Sequence, residues 1–407
     1  MTVERNPKDI KVSLLLTLMV ALGPLSTDLY LPSLPSLTET LSTTVSRVQA
    51  TMSVFIAGFA CATVIYGPLS DRYGRRPILI GGLTVFVIGS LGCMVSATIE
   101  ELIVWRFVQA IGGCAGPVLV RAVVRDVYEK EEAARFLAYI ASAMALAPAV
   151  APMIGGWLHV LFGWRSHFVA LTLLGVLFIW AIFILLQETN KHCDRTATQV
   201  RQMAQNFRLI LNHTQFLAYS LTLLFSYGAL FSFISVGAFV VIGVLGVAPD
   251  KFGYLFFFVA IGYASGGLLA GKLVARVGVT NMIGIGVGLG LSIGIVGLAL
   301  SINETQTIAA VVVPVVGVFF ACGFVLPAAT AGALMPFPEI AGTASSAISF
   351  LQMSGGAIIG FLAGYLHDGT TLPLFAVIFA SWMCAAVVYS HARWRGTIRP
   401  LNDATNA

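Results

Sequence analysis

Two charged side chains lie inside long apolar stretches, where no water is expected to solvate them. Asp28 falls in the segment Ser26-Thr-Asp-Leu-Tyr-Leu-Pro, and Arg106 falls in a later apolar stretch that follows Glu101. A charge in hydrocarbon is costly, so such a residue usually faces a partner or a water-filled cavity. A carboxyl group in a cavity can take up and release a proton. A guanidinium at similar depth can bind the ionised carboxylate. The two residues therefore predict a site that handles protons.

Each charge also has a simpler interpretation. Asp28 could cap an interfacial turn near two prolines, and Arg106 could reach the outer interface with its long side chain. The residues after Arg106 favour the cavity interpretation, because Gln109 and a series of glycines continue inward and indicate close helix packing. Aromatic and amide side chains of other apolar stretches could also line this cavity. The candidate proton-coupling and substrate residues are Asp28, Arg106, Tyr30, Gln109, Tyr227 and Gln352.

The composition of the chain excludes an ordinary soluble protein. Of its 407 residues, 58% are hydrophobic and only 10% are charged, and the mean hydropathy is +0.91. Soluble domains carry roughly a quarter charged residues. The net charge of +5 is spread over short segments without a basic helix, which argues against nucleic-acid binding. The six cysteines show no CxxC pairing, so neither a metal centre nor a disulfide framework is expected, and no cofactor is predicted.

Charged residues divide the chain into twelve apolar intervals, each long enough to cross a membrane. A hydrocarbon core needs about 20 helical residues, and the first interval is expected to be a retained helix because no signal-peptide cleavage site precedes Asp28. The predicted fold is an all-α membrane protein with twelve transmembrane helices in two six-helix halves. The intervals are 12–33, 48–69, 77–98, 102–124, 136–158, 166–187, 214–243, 252–271, 279–301, 307–330, 342–366 and 371–391.

The positions of lysine and arginine predict the orientation of the chain. Most of the 23 Lys and Arg residues fall at the chain ends or beside loops after even-numbered intervals, and positive loops stay cytoplasmic. Both termini are therefore expected in the cytoplasm. Arg121 lies near the cytoplasmic end of the fourth interval and is expected to anchor it at the interface, with a second cavity charge as the alternative. We predict a proton-coupling N-terminal bundle at 1–190, a cytoplasmic linker at 191–213 and a C-terminal bundle at 214–407.

A short basic hinge, Gly67-Pro-Leu-Ser-Asp-Arg-Tyr-Gly-Arg-Arg-Pro77, joins the second and third intervals. Its glycine, aspartate and arginine pattern resembles the loop signature of the major facilitator superfamily. The resemblance implies that Asp126 pairs with the hinge arginine, although Asp126 could equally be a solvated surface charge. We expect the hinge to act as a latch on the cytoplasmic side, away from the proton site. The gating-loop candidates are Gly67, Asp71, Arg72, Gly74, Arg75 and Asp126.

A degenerate second copy of the hinge supports two related halves. Gly271-Lys-Leu-Val-Ala-Arg-Val-Gly278 follows the eighth interval, about half a chain later, and matches the hinge at glycine, leucine and arginine positions. Parallel repeats of this kind occur in the superfamily. Because the copy has Ala275 where the hinge has Asp71, the halves are expected to share a fold but not the charge chemistry.

Two further segments resemble signatures of the same superfamily. Arg106-Phe-Val-Gln-Ala-Ile-Gly-Gly is similar to the fourth-span signature, in which the arginine is implicated in proton coupling. Ala147-Pro-Ala-Val-Ala-Pro-Met-Ile-Gly-Gly156 resembles the fifth-span signature of the antiporters, although Ala151 stands where that signature has glycine. Its prolines and glycines predict a kink and close backbone contacts. The residues of this antiporter kink are Pro148, Pro152, Gly155 and Gly156.

The segments Asp28-Leu-Tyr-Leu-Pro-Ser-Leu-Pro35 and Arg125-Asp-Val-Tyr128 resemble the bicyclomycin/chloramphenicol-resistance (Bcr/CflA) branch of the drug/proton antiporters. The resemblance covers essentially the whole chain. It implies a bacterial inner-membrane protein that exports amphiphilic drugs from the cytoplasm, driven by inward protons. A dedicated exporter of a metabolite such as a sugar or an amino acid would have the same fold and stays open.

Other classes of function have less support. The sequence has no Ser/His/Asp cluster, metal-ligand spacing or phosphate-cradling loop, so an enzyme is not expected. A sensor is not expected either, because no segment has the length of an extramembrane signalling domain. The expected partners are a small amphiphilic substrate, protons and the lipid bilayer, with no nucleic acid, and we expect a monomer.

Overall fold

The computed structural model describes residues 10–190, 200–338 and 340–398, and helices form most of this part of the chain. The first group of helices extends to Leu185. Its members are α1 (Ile10–Val20), α2 (Leu22–Asp28), α3 (Leu34–Thr40), α4 (Val45–Tyr73), α5 (Arg75–Val95), α6 (Ile99–Gly113), α7 (Ala115–Val127), α8 (Lys130–Phe162) and α9 (Arg165–Leu185).

The second group of helices begins inside the predicted linker. Its members are α10 (Val200–Leu211), α11 (Thr214–Ala238), α12 (Pro249–Val277), α13 (Val279–Ile302), α14 (Ile308–Leu334), α15 (Ala341–Tyr365) and α16 (Leu372–Trp394). A π-helical turn, Phe239–Val244, extends α11. The linker was expected only as a polar connection, and its residues 200–211 are helical; its residues 191–199 lie outside the described residues.

Ten helical segments of the described chain are long and apolar enough to cross a membrane, with α6 and α7 counted together as Ile99–Val127. An eleventh results if α1 and the chain after it, Leu22–Thr40, form one span bent by 40°. Part of α8, Ala147–Phe162, is also apolar but is shorter than the ten segments counted as spans. The all-α membrane fold is confirmed, whereas the number of twelve spans stays a prediction.

Two of the expected continuous spans are interrupted where a proline removes a backbone donor. Pro32 has no N–H to offer the carbonyl of Asp28, four residues earlier, and α2 ends at Asp28. Pro117 likewise cannot donate to Gly113, and α6 ends there. The first expected span is also broken earlier, where α1 ends at Val20, four residues before Pro24. The break after α2 places Asp28 at the end of a helix.

The helices pack as two groups with a cavity between them. In the first group α5 packs against α6 and α9, and in the second α14 packs against α11, α12 and α13. The two groups meet where α4 contacts α15 and α8 contacts α12. The limits given above for the two halves, 1–190 and 214–407, stay predictions.

At one end of the molecule the two groups are closed against each other. Gly156 of α8 lies so near α12 that an added Cβ would be 2.5 Å from the carbonyl oxygen of Pro249. The fully buried amide of Gln49, in α4, donates to Ser235 Oγ, in α11, at 2.5 Å. Backbone contact and hydrogen bonding therefore seal the space between the groups at this end.

Candidate functional site

A cavity of about 1000 Å³ lies between the two groups of helices. Its floor is formed around Asp28, and its other end is lined by the hinge residues Gly67, Asp71 and Arg75. The start of α15 and Phe207 of α10 complete that end. The parts of α4 and α8 that seal the two groups do not line the cavity. The cavity therefore opens on the face of the molecule that carries the hinge.

Apolar and aromatic side chains from both groups form much of the cavity wall. The rings of Tyr227 and Phe231, in α11, stack with their centres 5.9 Å apart. Tyr227 Oη donates to the sulfur of Met353, in α15, at 3.7 Å, and α4 contributes Phe55 and Phe59. Aromatic faces and a flexible thioether fit flat apolar molecules of several shapes.

Asp28 is the acidic group at the floor of this cavity. It is 4% exposed, and Thr27 Oγ1 donates to its carboxylate at 2.9 Å. Among the described residues, no Lys, Arg or His forms an ion pair with Asp28. The carboxylate thus borders the cavity with a hydroxyl, and no described cation, to stabilise its charge.

Arg106 lies behind the cavity wall and does not bind Asp28, contrary to the expected pairing. It is fully buried, and it donates to the carbonyl oxygen of Ser26 at 2.9 Å and to Gln109 Oε1 at 2.7 Å. Its guanidinium carbon is 4.2 Å from the ring centre of Phe55, which itself lines the cavity. Arg106 therefore holds the backbone two residues before Asp28, and cation–π contacts offset part of the cost of burying its charge.

Tyr30 and Gln109 surround Arg106 and do not line the cavity. Both are fully buried. The ring centre of Tyr30 is 4.9 Å from the Arg106 guanidinium, and its hydroxyl is 3.3 Å from Thr51 Oγ1. Gln109 Nε2 donates to Ser90 Oγ at 2.8 Å. These two residues fix the position of the arginine.

Gln352 does not line the cavity either. Consecutive residues of a helix point about 100° apart, and on α15 the neighbouring Met353 takes the cavity position. Of the six residues predicted for proton coupling and substrate, Asp28 and Tyr227 line the cavity in the described chain, and the other four do not.

The hinge residues form a charged network at the mouth of the cavity. Arg75 donates to Asp71 Oδ1 at 2.5 Å and to Asp126 Oδ2 at 2.9 Å. The second of these bonds is the one that the family resemblance implied, and it joins α5 to α7. Arg72 lies instead over the ring of its neighbour Tyr73, at 5.0 Å. Arg75 and its two carboxylates all belong to the first group, and the action of the hinge as a latch on the cytoplasmic side stays a prediction.

Gly74 and Glu188 complete the hinge. Gly74 has a φ of +97°, and α5 begins at the next residue. Glu188, shortly after α9, accepts hydrogen bonds from the backbone N–H groups of Arg75 at 2.9 Å and Arg76 at 3.1 Å. A carboxylate at a helix N-terminus satisfies free N–H groups and interacts favourably with the helix dipole. Sequence reasoning missed Glu188, whose only signal was its place as the first charge after the sixth apolar interval.

The predicted kink of α8 lies between the end of α2 and the second group of helices. Pro148 lines the cavity, and Pro152 contacts Gly253 of α12. Gly155 packs against the residue that follows α2, where an added Cβ would overlap the carbonyl oxygen of Leu29. Glycine is therefore needed for α8 to approach this end of α2. The helix is continuous through both prolines.

Arg121 and Arg125 of α7 also line the cavity. The sequence favoured an interfacial anchor for Arg121, with a second cavity charge as the alternative, and the structure places its side chain on the cavity wall; its role stays a prediction. Whether an arginine faces the cavity depends on which side of the helix it occupies, and hydropathy does not show which side that is.

In the described chain, no group of three or more His, Cys, Asp or Glu side chains could hold a metal ion.

Comparison with known proteins identifies the family. The profile of the Major Facilitator Superfamily matches residues 16–360. The chain is 30% identical to a bicyclomycin resistance protein homolog of Haemophilus influenzae over 379 residues, which cover 92% of this chain and 94% of the relative. It is 30% identical to a chloramphenicol resistance protein of Pseudomonas aeruginosa over 349 residues (85% and 81%). It is 25% identical to multidrug resistance protein D of Escherichia coli over 396 residues (95% and 98%).

Those relatives confirm the resemblance to the bicyclomycin/chloramphenicol-resistance branch, and solved structures agree on the fold. The present structure resembles the crystal structure of a bacterial homolog of the human lysosomal transporter Spinster in its inward-facing, unoccupied conformation. The TM-score is 0.74 at 17% identity, and the match covers 93% of this chain and 96% of that one. The crystal structure of a D-xylose–proton symporter gives 0.70 at 16% identity, covering 94% and 96%. The chain is a multi-pass membrane protein that belongs to the Major Facilitator Superfamily.

Proposed function

We propose that this transporter exports amphiphilic small molecules, antibiotics among them, from the bacterial cytoplasm in exchange for protons. The observation that carries the proposal is the cavity, whose apolar walls come from both helix groups and end at one buried carboxylate, Asp28. Relatives named for resistance to bicyclomycin, chloramphenicol and multiple drugs support export of such compounds. A volume of about 1000 Å³ suits a drug-sized molecule.

Asp28 is the group that exchanges the proton. A negative charge is costly in an apolar cavity, and no described cation pairs with it. A proton removes that cost, and a cargo molecule that donates a hydrogen bond or a positive charge to the carboxylate removes it as well. Proton and cargo therefore compete for one site. Each lowers the affinity of the other, which is the thermodynamic requirement for exchange.

The cargo crosses by alternate opening of the two ends. The cavity is open at the hinge end and closed at the other end by contacts such as the hydrogen bond from Gln49 to Ser235. The distribution of lysine and arginine favours a cytoplasmic hinge, so this conformation would receive cargo from inside. Rocking of the two groups then exposes Asp28 to the opposite side and to incoming protons.

Replacement of Asp28 by asparagine tests the proton role. The amide has nearly the same size but no ionisable proton. In membrane vesicles, Asp28→Asn is expected to abolish chloramphenicol transport driven by a pH gradient, while exchange of labelled for unlabelled drug without a gradient persists. The unmodified protein should lose net transport when a protonophore collapses the gradient.

Asp368→Asn is the matched control. It removes an exposed carboxylate from the loop between α15 and α16 and should leave gradient-driven transport unchanged. Gradient-driven transport at the normal rate in Asp28→Asn vesicles would exclude Asp28 as the coupling group. Transport by the unmodified protein that survives the protonophore would exclude proton exchange altogether.

A further inference from the structure

A strip of positive charge runs along one wall of the cavity. Arg121 and Arg125 are one turn apart on α7, and both line the cavity. Neither guanidinium forms a hydrogen bond or an ion pair with another residue of the described chain. Arg75 at the mouth differs, because it forms ion pairs with both Asp71 and Asp126. The strip is therefore available to a ligand.

The second group of helices adds hydroxyl groups to the same cavity. Thr343, Ser345, Ser346 and Ser349 of α15 all line it. The Ser346 hydroxyl donates to the carbonyl of Gly342 at 3.1 Å, whereas the hydroxyls of Ser345 and Ser349 bond to no other residue of the part of the chain that is described. Each of these two hydroxyls can donate a hydrogen bond to a ligand.

The charges of the cavity are separated along its length. The Asp28 carboxylate lies at the floor, and the arginines of α7 lie on the helix that carries Asp126 at the mouth. A cation in a membrane cavity needs water or an anion to offset its cost. The planar guanidinium fork binds the oxygens of a carboxylate, phosphate or sulfonate in pairs. The cavity is therefore suited to a dipolar ligand.

We propose that Arg121 recognises an anionic group of the cargo, with Arg125 and the α15 hydroxyls completing the subsite, and that the transporter prefers zwitterionic or anionic amphiphiles to lipophilic cations. The inference rests on the proposed function, because it names the substrate class of the same cavity. An oxyanion at Arg121 leaves the apolar body of the ligand against Phe55 and Phe231, with its donor or cationic group toward Asp28. The anion also links α7 to α15, which belong to different groups.

Two rhodamine dyes separate the two classes of ligand. One carries a free carboxylate and is a zwitterion, and the other is its ethyl ester, which has the same rings and a net positive charge. Fluorescence anisotropy with the purified full-length protein gives a dissociation constant for each dye. The unmodified protein is expected to bind the carboxylate dye about tenfold more tightly, the usual size of a charge-assisted hydrogen bond.

Substitution of Arg121 should remove this preference. Arg121→Gln is expected to bring the ratio of the two dissociation constants to about one, by weakening the carboxylate dye, and Arg121→Lys should keep most of the preference because it keeps the charge. Arg276→Gln is the control, since it removes an exposed arginine from the last turn of α12, outside the cavity. A ratio measured within one preparation does not depend on the fraction of folded protein.

The inference is overturned by equal affinity of the unmodified protein for both dyes, by lack of binding of the carboxylate dye, or by an unchanged ratio in Arg121→Gln. The measurement needs neither a gradient nor transport, so it is separate from the test of export. A changed ratio in a protein that transports nothing supports the subsite and rejects the proposed function. Gradient-driven export together with an unchanged ratio of dissociation constants in Arg121→Gln supports the proposed function and rejects the subsite.

Discussion

The guanidinium of Arg106 is fully buried, yet no carboxylate of the described chain forms an ion pair with it. Its charge is balanced by the carbonyl of Ser26, the amide oxygen of Gln109 and the faces of three aromatic rings. A planar guanidinium can stack and donate at the same time, whereas the ammonium of lysine is a compact point charge. Arg106 is therefore a positioning residue, which fixes the backbone that leads to Asp28.

Arg106→Lys is expected to slow transport about tenfold or more while changing substrate affinity by less than about threefold. Lysine keeps the positive charge but cannot hold Ser26 and stack on Phe55 together, so the end of α2 shifts relative to the cavity. Affinity is largely retained because Arg106 does not line the cavity. Initial transport rates and dissociation constants, measured on the same membranes, separate the two effects.

Arg165→Lys is the matched control for this change. Arg165 also stacks on an aromatic ring, that of Trp164 at 4.2 Å, and donates to a backbone carbonyl, that of Ser96 at 2.9 Å. It lies at the start of α9 and does not line the cavity. Normal transport by Arg106→Lys, or equal losses in the two variants, contradicts the positioning role.

The sequence is informative about how deep a residue lies and much less about which way its side chain points. Apolar stretches on both sides of Asp28 and Arg106 placed the two at similar depth, and the bond from Arg106 to the Ser26 carbonyl agrees with that. The direction depends on helices that are distant in sequence. For this reason the cavity contains Arg121 but not Arg106, although both lie on the same predicted span.

The connection between α4 and α5 shows how one residue can define the geometry of an element. Gly74 has a φ of +97°, which an L-residue with a side chain adopts only at a cost. An added Cβ at Gly74 would also lie 2.6 Å from Glu188 Oε2. The carboxylate occupies that space because it binds the first N–H groups of α5. The positive φ and the lack of space for a Cβ are therefore two independent reasons for glycine at position 74.

Gly74→Ala is expected to destabilise the purified protein by about 1–2 kcal/mol, from the strained φ and the displaced carboxylate. Thermal unfolding in detergent measures the change as a lower midpoint. Gly67→Ala is the control within the same signature, because no atom lies within 4 Å of its added Cβ. In the interior of α4, alanine should be neutral or slightly stabilising. If Gly74→Ala and Gly67→Ala unfold at the same midpoint temperature, glycine is not required at position 74.

At the level of helices, most spans could be predicted because charged residues mark their ends. The interruptions could not, since proline in a membrane helix often produces only a bend, and nothing local shows that Pro32 and Pro117 end helices. The contact between Glu188 and Arg75 also could not be predicted, because the two residues are 113 positions apart. Pairing over such a distance is determined by the packing of α5 against α9.

Across the whole molecule, the two groups of helices touch through their backbones at one end and enclose the cavity toward the other. At the closed end, Gly156 faces the backbone of Pro249 and Gly253 faces that of Met153. A side chain at Gly156 has no room unless α8 and α12 separate. The glycines of α8 thus favour closure of this end, and loss of one should favour the alternative conformation, in which this end is open.

Gly156→Val is therefore expected to shift the conformational equilibrium about tenfold or more toward opening of this end, since overpacking typically costs about 1–3 kcal/mol. Spin labels at Val95 and Ile302, the exposed last residues of α5 and α13, report the separation of the two groups there by double electron–electron resonance. The long-distance population should grow in Gly156→Val. It should not grow in Gly81→Val, where no atom lies within 4 Å of the added Cβ. Identical distance distributions in the two variants would show that the contact between α8 and α12 does not control opening.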